Sequence, residues 1–180
     1  MILAFYEHQD GVEVAGGNTV VYDVGRNEAH FGAANVGGHA LVWVLAPGEP
    51  APGARLSAPV KLARGREWIA RCDRIDFPPG GVAYTHTHPG PGIRCLLFGW
   101  IRIESGAERH EYGPLEPWFE SGPEPVFAAA SVTDPTAFVR VMLLPREWEG
   151  KRTIRYVDPA DEGKPKLQRP TIFFDHLLAL

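Results

Sequence analysis

The sequence has no apolar run approaching the roughly 20 residues that would cross a bilayer as a helix. A membrane-spanning segment is therefore not expected. Its N-terminus, MILAFYEHQDG, lacks both a basic leader and a long apolar stretch. Only two cysteines are present, Cys72 and Cys95. Together these read as an unprocessed cytoplasmic chain with reduced thiols, a bridge between neighbouring strands being the alternative. Concentrated charge is also missing: 18 Lys and Arg stand against 22 Asp and Glu, and the net charge of -4 is spread along the chain. Without a basic stripe, nucleic-acid binding is not expected. Apolar periodicity of 3.6 residues, which helices would need, is scarce.

What the chain does have is punctuation. Its 180 residues contain 20 glycines and 17 prolines, set between short runs rich in Val, Ile, Phe, Tyr and Trp. That is a composition of strands and turns, and the length suits one domain. MILAFY and NTVVYDV read as strands of an outer or edge layer, and HALVWVL as a buried strand. APGEPAPG, with three prolines and two glycines, reads as an exposed loop. From Pro59 onward a regular series is predicted: APVKLA, EWIARCDRIDF, VAYTHTH, IRCLLFGWIRIE, RHEYGPLEPWFE, PVFAAASVT and TAFVRVMLL. Strands at a spacing of roughly ten residues favour a sandwich or barrel. A further strand is expected at TIRYV, then an exposed connection, DPADEGKPKLQRP, and an apolar end, TIFFDHLLAL, that docks on the body or on a second subunit.

The most specific chemistry lies in residues 80 to 99, GGVAYTHTHPGPGIRCLLFG. In an extended strand, residues i and i+2 share a face, so His86 and His88 would converge on one point, as two ligands of one metal ion must. The other histidines, His8, His30, His39, His110 and His176, have no partner at such spacing.

Gly80, five residues, His86, one residue, His88, three residues to Gly92 and six more to Gly99 resembles the first motif of the cupin superfamily. That motif carries a glutamate where Gly92 stands. Gly113 to Pro125 resembles the second motif, with Gly122 at the turn glycine, Glu120 at the proline and Pro125 at the histidine. The resemblance implies an all-β, jelly-roll-like barrel of the cupin type, a double-stranded β-helix of two packed antiparallel sheets. The barrel would span about residues 58–145, with an N-terminal extension over 1–57 and a C-terminal arm over 146–180. It also implies a divalent metal in the barrel, Fe, Mn, Ni, Cu or Zn, and pairing of two subunits through edge strands; with the apolar ends of this chain, a homodimer is expected.

Two familiar ligand positions are thus Gly92 and Pro125, and other residues have to supply the chemistry. Strand parity from Gly92 puts Arg94, Leu96 and Phe98 on the inner face, with Cys95 and Leu97 outside. Arg94 would hold an anionic ligand in a bidentate pair, or else pair structurally with Glu120. Trp118 and Glu120 share a face; Glu120 is the candidate third metal ligand or general base, and Trp118 a wall or core aromatic. Arg140 would complete the substrate-binding wall. The function implied is that of a metal-dependent enzyme, of oxygenase, lyase or isomerase type, acting on a small organic anion. The alternative is a metal-free cupin that binds or senses a small molecule.

Overall fold

The computed structural model describes residues 1–180 as strands and turns, with two short 3-10 turns at Arg146–Trp148 and Pro159–Gly163 the only helical elements. No helix is long and apolar enough to cross a membrane. The first part of the chain forms β1 (Ile2–His8), β2 (Val12–Val14), β3 (Thr19–Asp23), β4 (Glu28–Phe31), β5 (Ala34–Val36), β6 (Ala40–Ala46) and β7 (Leu56–Pro59). The middle forms β8 (Trp68–Phe77), β9 (Val82–Thr87), β10 (Gly92–Phe98), β11 (Ile101–Ser105), β12 (Glu108–Tyr112), β13 (Pro117–Glu120), β14 (Val126–Ala130) and β15 (Thr136–Pro145). The last part adds β16 (Arg155–Tyr156) and β17 (Arg169–Leu177).

The eight middle strands make two facing antiparallel sheets. One runs β13-β10-β15-β8, and the other β12-β11-β14-β9. Successive strands alternate between the sheets except at the β11–β12 hairpin, and the last strand returns beside the first. This is jelly-roll connectivity, so the all-β double-stranded β-helix that the resemblance implied is the fold. β17 extends the first sheet beside β8, and β16 extends the second beside β9. The C-terminal arm thereby touches both sheets along one side of the barrel.

Period-two patterning explains the arrangement of β8 and β15. Trp68, Ala70 and Cys72 of β8, with Val139, Val141 and Leu143 of β15 and Ile93 and Cys95 of β10, pack outward. Their inner neighbours include Asp73, Ile75, Phe138, Arg140 and Arg94. All ten residues of β15 are buried, because the N-terminal sheet, ordered β4-β3-β6-β1-β7, covers the outer face. The extension is therefore an outer layer: Leu3, Phe5, Leu41 and Trp43 share one core with the barrel's outer face. Trp43 also donates its Nε1–H to the carbonyl of Ile93 across that interface at 3.1 Å.

Several sequence expectations change in detail. IRCLLFGWIRIE is two strands in different sheets, since the chain turns a corner at Gly99, whose φ is 78° and where a Cβ would strike Thr136 and the carbonyl of Pro135. RHEYGPLEPWFE likewise divides into β12 and β13 around Leu115. Phe98 does not continue the inner face. A bulge between Leu96 and Phe98 shifts its register and leaves it 40% exposed. Cys95, though outward-facing, is fully buried beneath the N-terminal sheet, and both thiols are free. The apolar chain end from which a dimer was expected docks within the chain as β17 and the buried Leu178.

Truncating the side chain that joins the two layers should be costly. Trp43→Ala is expected to lower unfolding free energy by about 3–5 kcal/mol, measured by denaturant titration. A loss under about 1 kcal/mol would show that the N-terminal sheet is not packed as a true second layer.

Candidate functional site

Strand register assembles the polar centre of the barrel. Across the first sheet, Asp73, Arg140, Arg94 and Trp118 stand side by side on β8, β15, β10 and β13. The adjacent row is Arg71, Met142, Gly92 and Glu120. Two arginines thus sit next to each other inside a barrel, and each takes its own carboxylate. Arg140 donates from Nε and Nη2 to the two oxygens of Asp73 at 2.7 and 2.9 Å. Arg94 Nη2 lies 2.6 Å from Oε2 of Glu120, a close ion pair without hydrogen-bond alignment.

The histidines come from the opposite sheet. His86 is on β9 and His88 just beyond its end, each 4% exposed. Nδ1 of His86 is 2.7 Å from the carbonyl of Tyr84, and Nδ1 of His88 is 3.3 Å from that of Thr153. A carbonyl can only accept, so each Nδ1 carries the ring proton and each Nε2 presents a lone pair. The two Nε2 atoms face each other at 3.2 Å. Burial lowers the pKa of both imidazoles, and at His88 burial, reinforced by Arg140 and Arg94, holds it well below the usual value. A proton shared between the rings is therefore disfavoured. Two lone pairs at this separation match two nitrogen ligands of one metal with bonds of about 2.0–2.1 Å.

The predicted convergence of His86 and His88 is thus present, and Glu120 is beside them, its Oε2 3.8 Å from His88 Nε2. No group of three His, Cys, Asp or Glu donors is drawn together tightly enough to hold a metal. The imidazole pair has the geometry of two of the donors a metal takes; the carboxylate that could be a third is engaged elsewhere. Trp118 donates its Nε1–H to Glu120 Oε1 at 2.9 Å, and Arg94 holds the other oxygen.

Arg94 does not take the position expected of a substrate-binding or catalytic group. It is completely buried, is absent from the cavity wall, and donates Nη1 to the carbonyl of Gly92 at 2.7 Å. Burial pulls its pKa down to about 10, and Glu120 opposes that shift. The structural pairing with Glu120 is the outcome. Gly92 shows why: a Cβ there would run into the Val141 carbonyl and meet Arg94 Nη1 at 3.1 Å, so the space of a motif glutamate is closed by backbone and guanidinium.

The remaining candidates line a cavity of about 410 Å³. His86, His88, Glu120, Asp73 and Arg140 form its polar end, and Ile75, Phe77, Ile103, Trp118, Val126 and Phe138 its apolar wall. Trp118 is both wall and core, stacked on Tyr112 at 5.0 Å. The C-terminal arm closes one side with Lys151, Arg152, Thr153, Gln168 and Ile172. That arm is tied down by Arg71, which makes a bidentate pair with Asp175 at 2.6 Å and donates to the carbonyls of Lys151 and Trp148. Asp73, Arg71, Thr153 and Asp175 were not identified from sequence. Parity along WIARCDRIDF puts Arg71 and Asp73 on the inner face and could have found those two. Thr153 acts through its carbonyl and Asp175 across 104 residues, and neither leaves a sequence signal.

The neutral imidazoles make stability depend on pH. Ordinary histidines of the unfolded chain protonate near pH 6.5, whereas His86 and His88 do so only lower. Their contribution is present above about pH 6.5 and is lost as pH falls, because the unfolded chain then binds more protons. The thermal midpoint of chelator-treated protein should drop between about pH 7.5 and about pH 5, and less steeply for His86→Gln/His88→Gln. An unchanged slope in that variant would assign the dependence to other groups.

No family model matches the chain, and no curated protein does. Among solved structures it is similar to the polyketide cyclase RemF from Streptomyces resistomycificus, with 20% identity over 53% of this chain and 63% of that one, at a TM-score of 0.41. The match therefore spans less than two thirds of the cyclase. It is also similar to a cupin superfamily protein from Desulfitobacterium hafniense DCB-2, with 12% identity over 48% of this chain and 74% of that one, at a TM-score of 0.39. The jelly-roll fold stands on the strand order and register of β8 to β15 in this chain itself.

Proposed function

We propose that the chain is a metal-dependent barrel enzyme that binds a small, largely apolar organic molecule by one polar end. The observation that carries this reading is the pair of Nε2 lone pairs facing each other at 3.2 Å with both ring protons committed to carbonyls. His86 and His88 would hold the ion, and Glu120 is the nearest carboxylate. A bound ion supplies Lewis acidity toward an oxygen of the ligand. The chain's own groups would do the rest. Phe77, Phe138 and Trp118 exclude water from the ligand body, and Arg140 can face an anionic oxygen. Glu120, held by Trp118 and Arg94 at the same end of the cavity, would serve as the proton acceptor once a ligand draws it from that pair.

A metal-free binding function is the second reading, and one contact favours it. Arg140 Nη1 lies 3.4 Å from His88 Nε2, so a protein N–H already addresses one of the two lone pairs. Calorimetric titration of untagged protein with Zn, Mn, Fe or Ni separates the two. One ion per chain is expected for at least one metal, with affinity lost in His86→Ala/His88→Ala. Substoichiometric metal after purification together with no uptake on addition would overturn the metal reading. Thermal stabilisation by a small molecule that is indifferent to chelator would then support the binder.

A further inference from the structure

Arg140 spends its three guanidinium nitrogens on two neighbours. Nε and Nη2 are fixed on the two oxygens of Asp73, and Nη1 is directed at Nε2 of His88, 3.4 Å away. A planar fork bonded at two points on an adjacent strand has little freedom to turn, so Asp73 sets where Nη1 points. Because Nδ1 of His88 donates to Thr153, the atom that Arg140 addresses is the lone pair that a metal would use. One lone pair cannot accept an N–H and bind a metal at once. Of the other buried arginines, Arg94 is held on Glu120 and Gly92 and Arg71 on Asp175, and neither competes for it.

We propose that Arg140, aimed by Asp73, is a resident cation of the histidine site that competes with metal for His88 and so sets the metal affinity. This rests on reading His86 and His88 as metal ligands. The two members of the pair then act in opposite directions. Arg140 blocks the lone pair and repels the ion, while Asp73 neutralises Arg140. Removing both frees the lone pair without stranding a buried charge. Weakening Asp73 alone leaves a less neutralised cation beside the site.

Competition calorimetry with Zn and a chelator, on the full untagged chain, tests this. Asp73→Asn/Arg140→Gln should bind Zn at least about tenfold more tightly than wild type, the scale of one lost hydrogen bond from a charged donor. Asp73→Asn alone should bind it more weakly. A purely structural role for the pair would weaken both. If the double variant gives no cooperative melt, Asp73→Leu/Arg140→Met removes the same pair with apolar groups and serves in its place. Wild-type or weaker affinity in a folded double variant overturns the proposal and leaves the metal reading standing if wild type still binds Zn. Zn bound by the double variant but not by wild type supports the proposal and overturns the metal reading for the native chain. Zn bound by neither overturns both.

Discussion

The bidentate pair between Arg140 and Asp73, closed off from solvent inside the barrel, constrains everything around it. A charge in such a place is tolerated only when it is matched, and removing one member of a buried pair typically costs about 3–5 kcal/mol. Arg94 is the strand neighbour of Arg140, so a second cation had to be matched as well, and Glu120 is spent on it. Arg71, one row along, is matched by Asp175 from the far end of the chain. Burial alone would lower the pKa of Arg140, yet Asp73 holds it above its ordinary value, so the guanidinium stays charged. These pairings fix which groups remain to do chemistry. They are the two neutral imidazoles, one guanidinium nitrogen and the edge of a carboxylate.

The charged interior is tolerated because the other face of the same sheet is largely apolar, the Arg74–Asp76 pair of β8 being its charged exception. Trp68, Cys72, Ile93, Val139 and Val141 need a cover, and the N-terminal sheet provides it with Phe5, Leu41 and Trp43. Stabilisation from that outer interface offsets the cost of ordering an inner face whose charges contribute little net stability. The C-terminal arm belongs to the same scheme from the other side. It supplies Asp175 to Arg71 and the Thr153 carbonyl to His88, and it walls the cavity.

Much of the fold was legible because strands and corners are written in local chemistry. Runs of strand-forming residues between turn glycines and prolines pointed to a sandwich or barrel, and alternation from Gly92 placed Arg94 and Leu96 correctly on the inner face. It failed at Phe98, where a bulge resets the period, and it ran through Gly99 as though the strand continued. Those misses share a cause: alternation says nothing about where a strand leaves its sheet. The site was half legible. The convergence of His86 and His88 follows from i,i+2 geometry, but a pairing such as Arg140 with Asp73 depends on register between strands 67 residues apart. Sequence could name both residues without saying that they meet. For Arg94 the sequence leaves two partners open, an anionic ligand and Glu120, and only the register of β10 against β13 decides for Glu120.

Charge balance also changes what kind of molecule the cavity should favour. With Arg140 on Asp73, Arg94 on Glu120 and Arg71 on Asp175, the buried charges cancel pairwise, and the imidazoles stay neutral. Of the basic groups at the rim, Arg152 meets Glu162 and Lys166 donates to backbone carbonyls of its own loop. An anion entering the cavity therefore meets the charges of Lys151 and Lys166 at the rim, and deeper in finds directed N–H groups but little net attraction. Affinity has to come chiefly from the walls. Burying about 150–200 Å² of apolar ligand surface against Phe77, Phe138, Trp118, Ile75 and Ile103 is worth about 4–5 kcal/mol. The polar end adds orientation, since a single oxygen can face Arg140 or the histidines only from one direction. Under the proposed function, a ligand selected by such a cavity would be apolar over most of its length and polar at one end, a narrower description than the small organic anion that Arg94 alone implied.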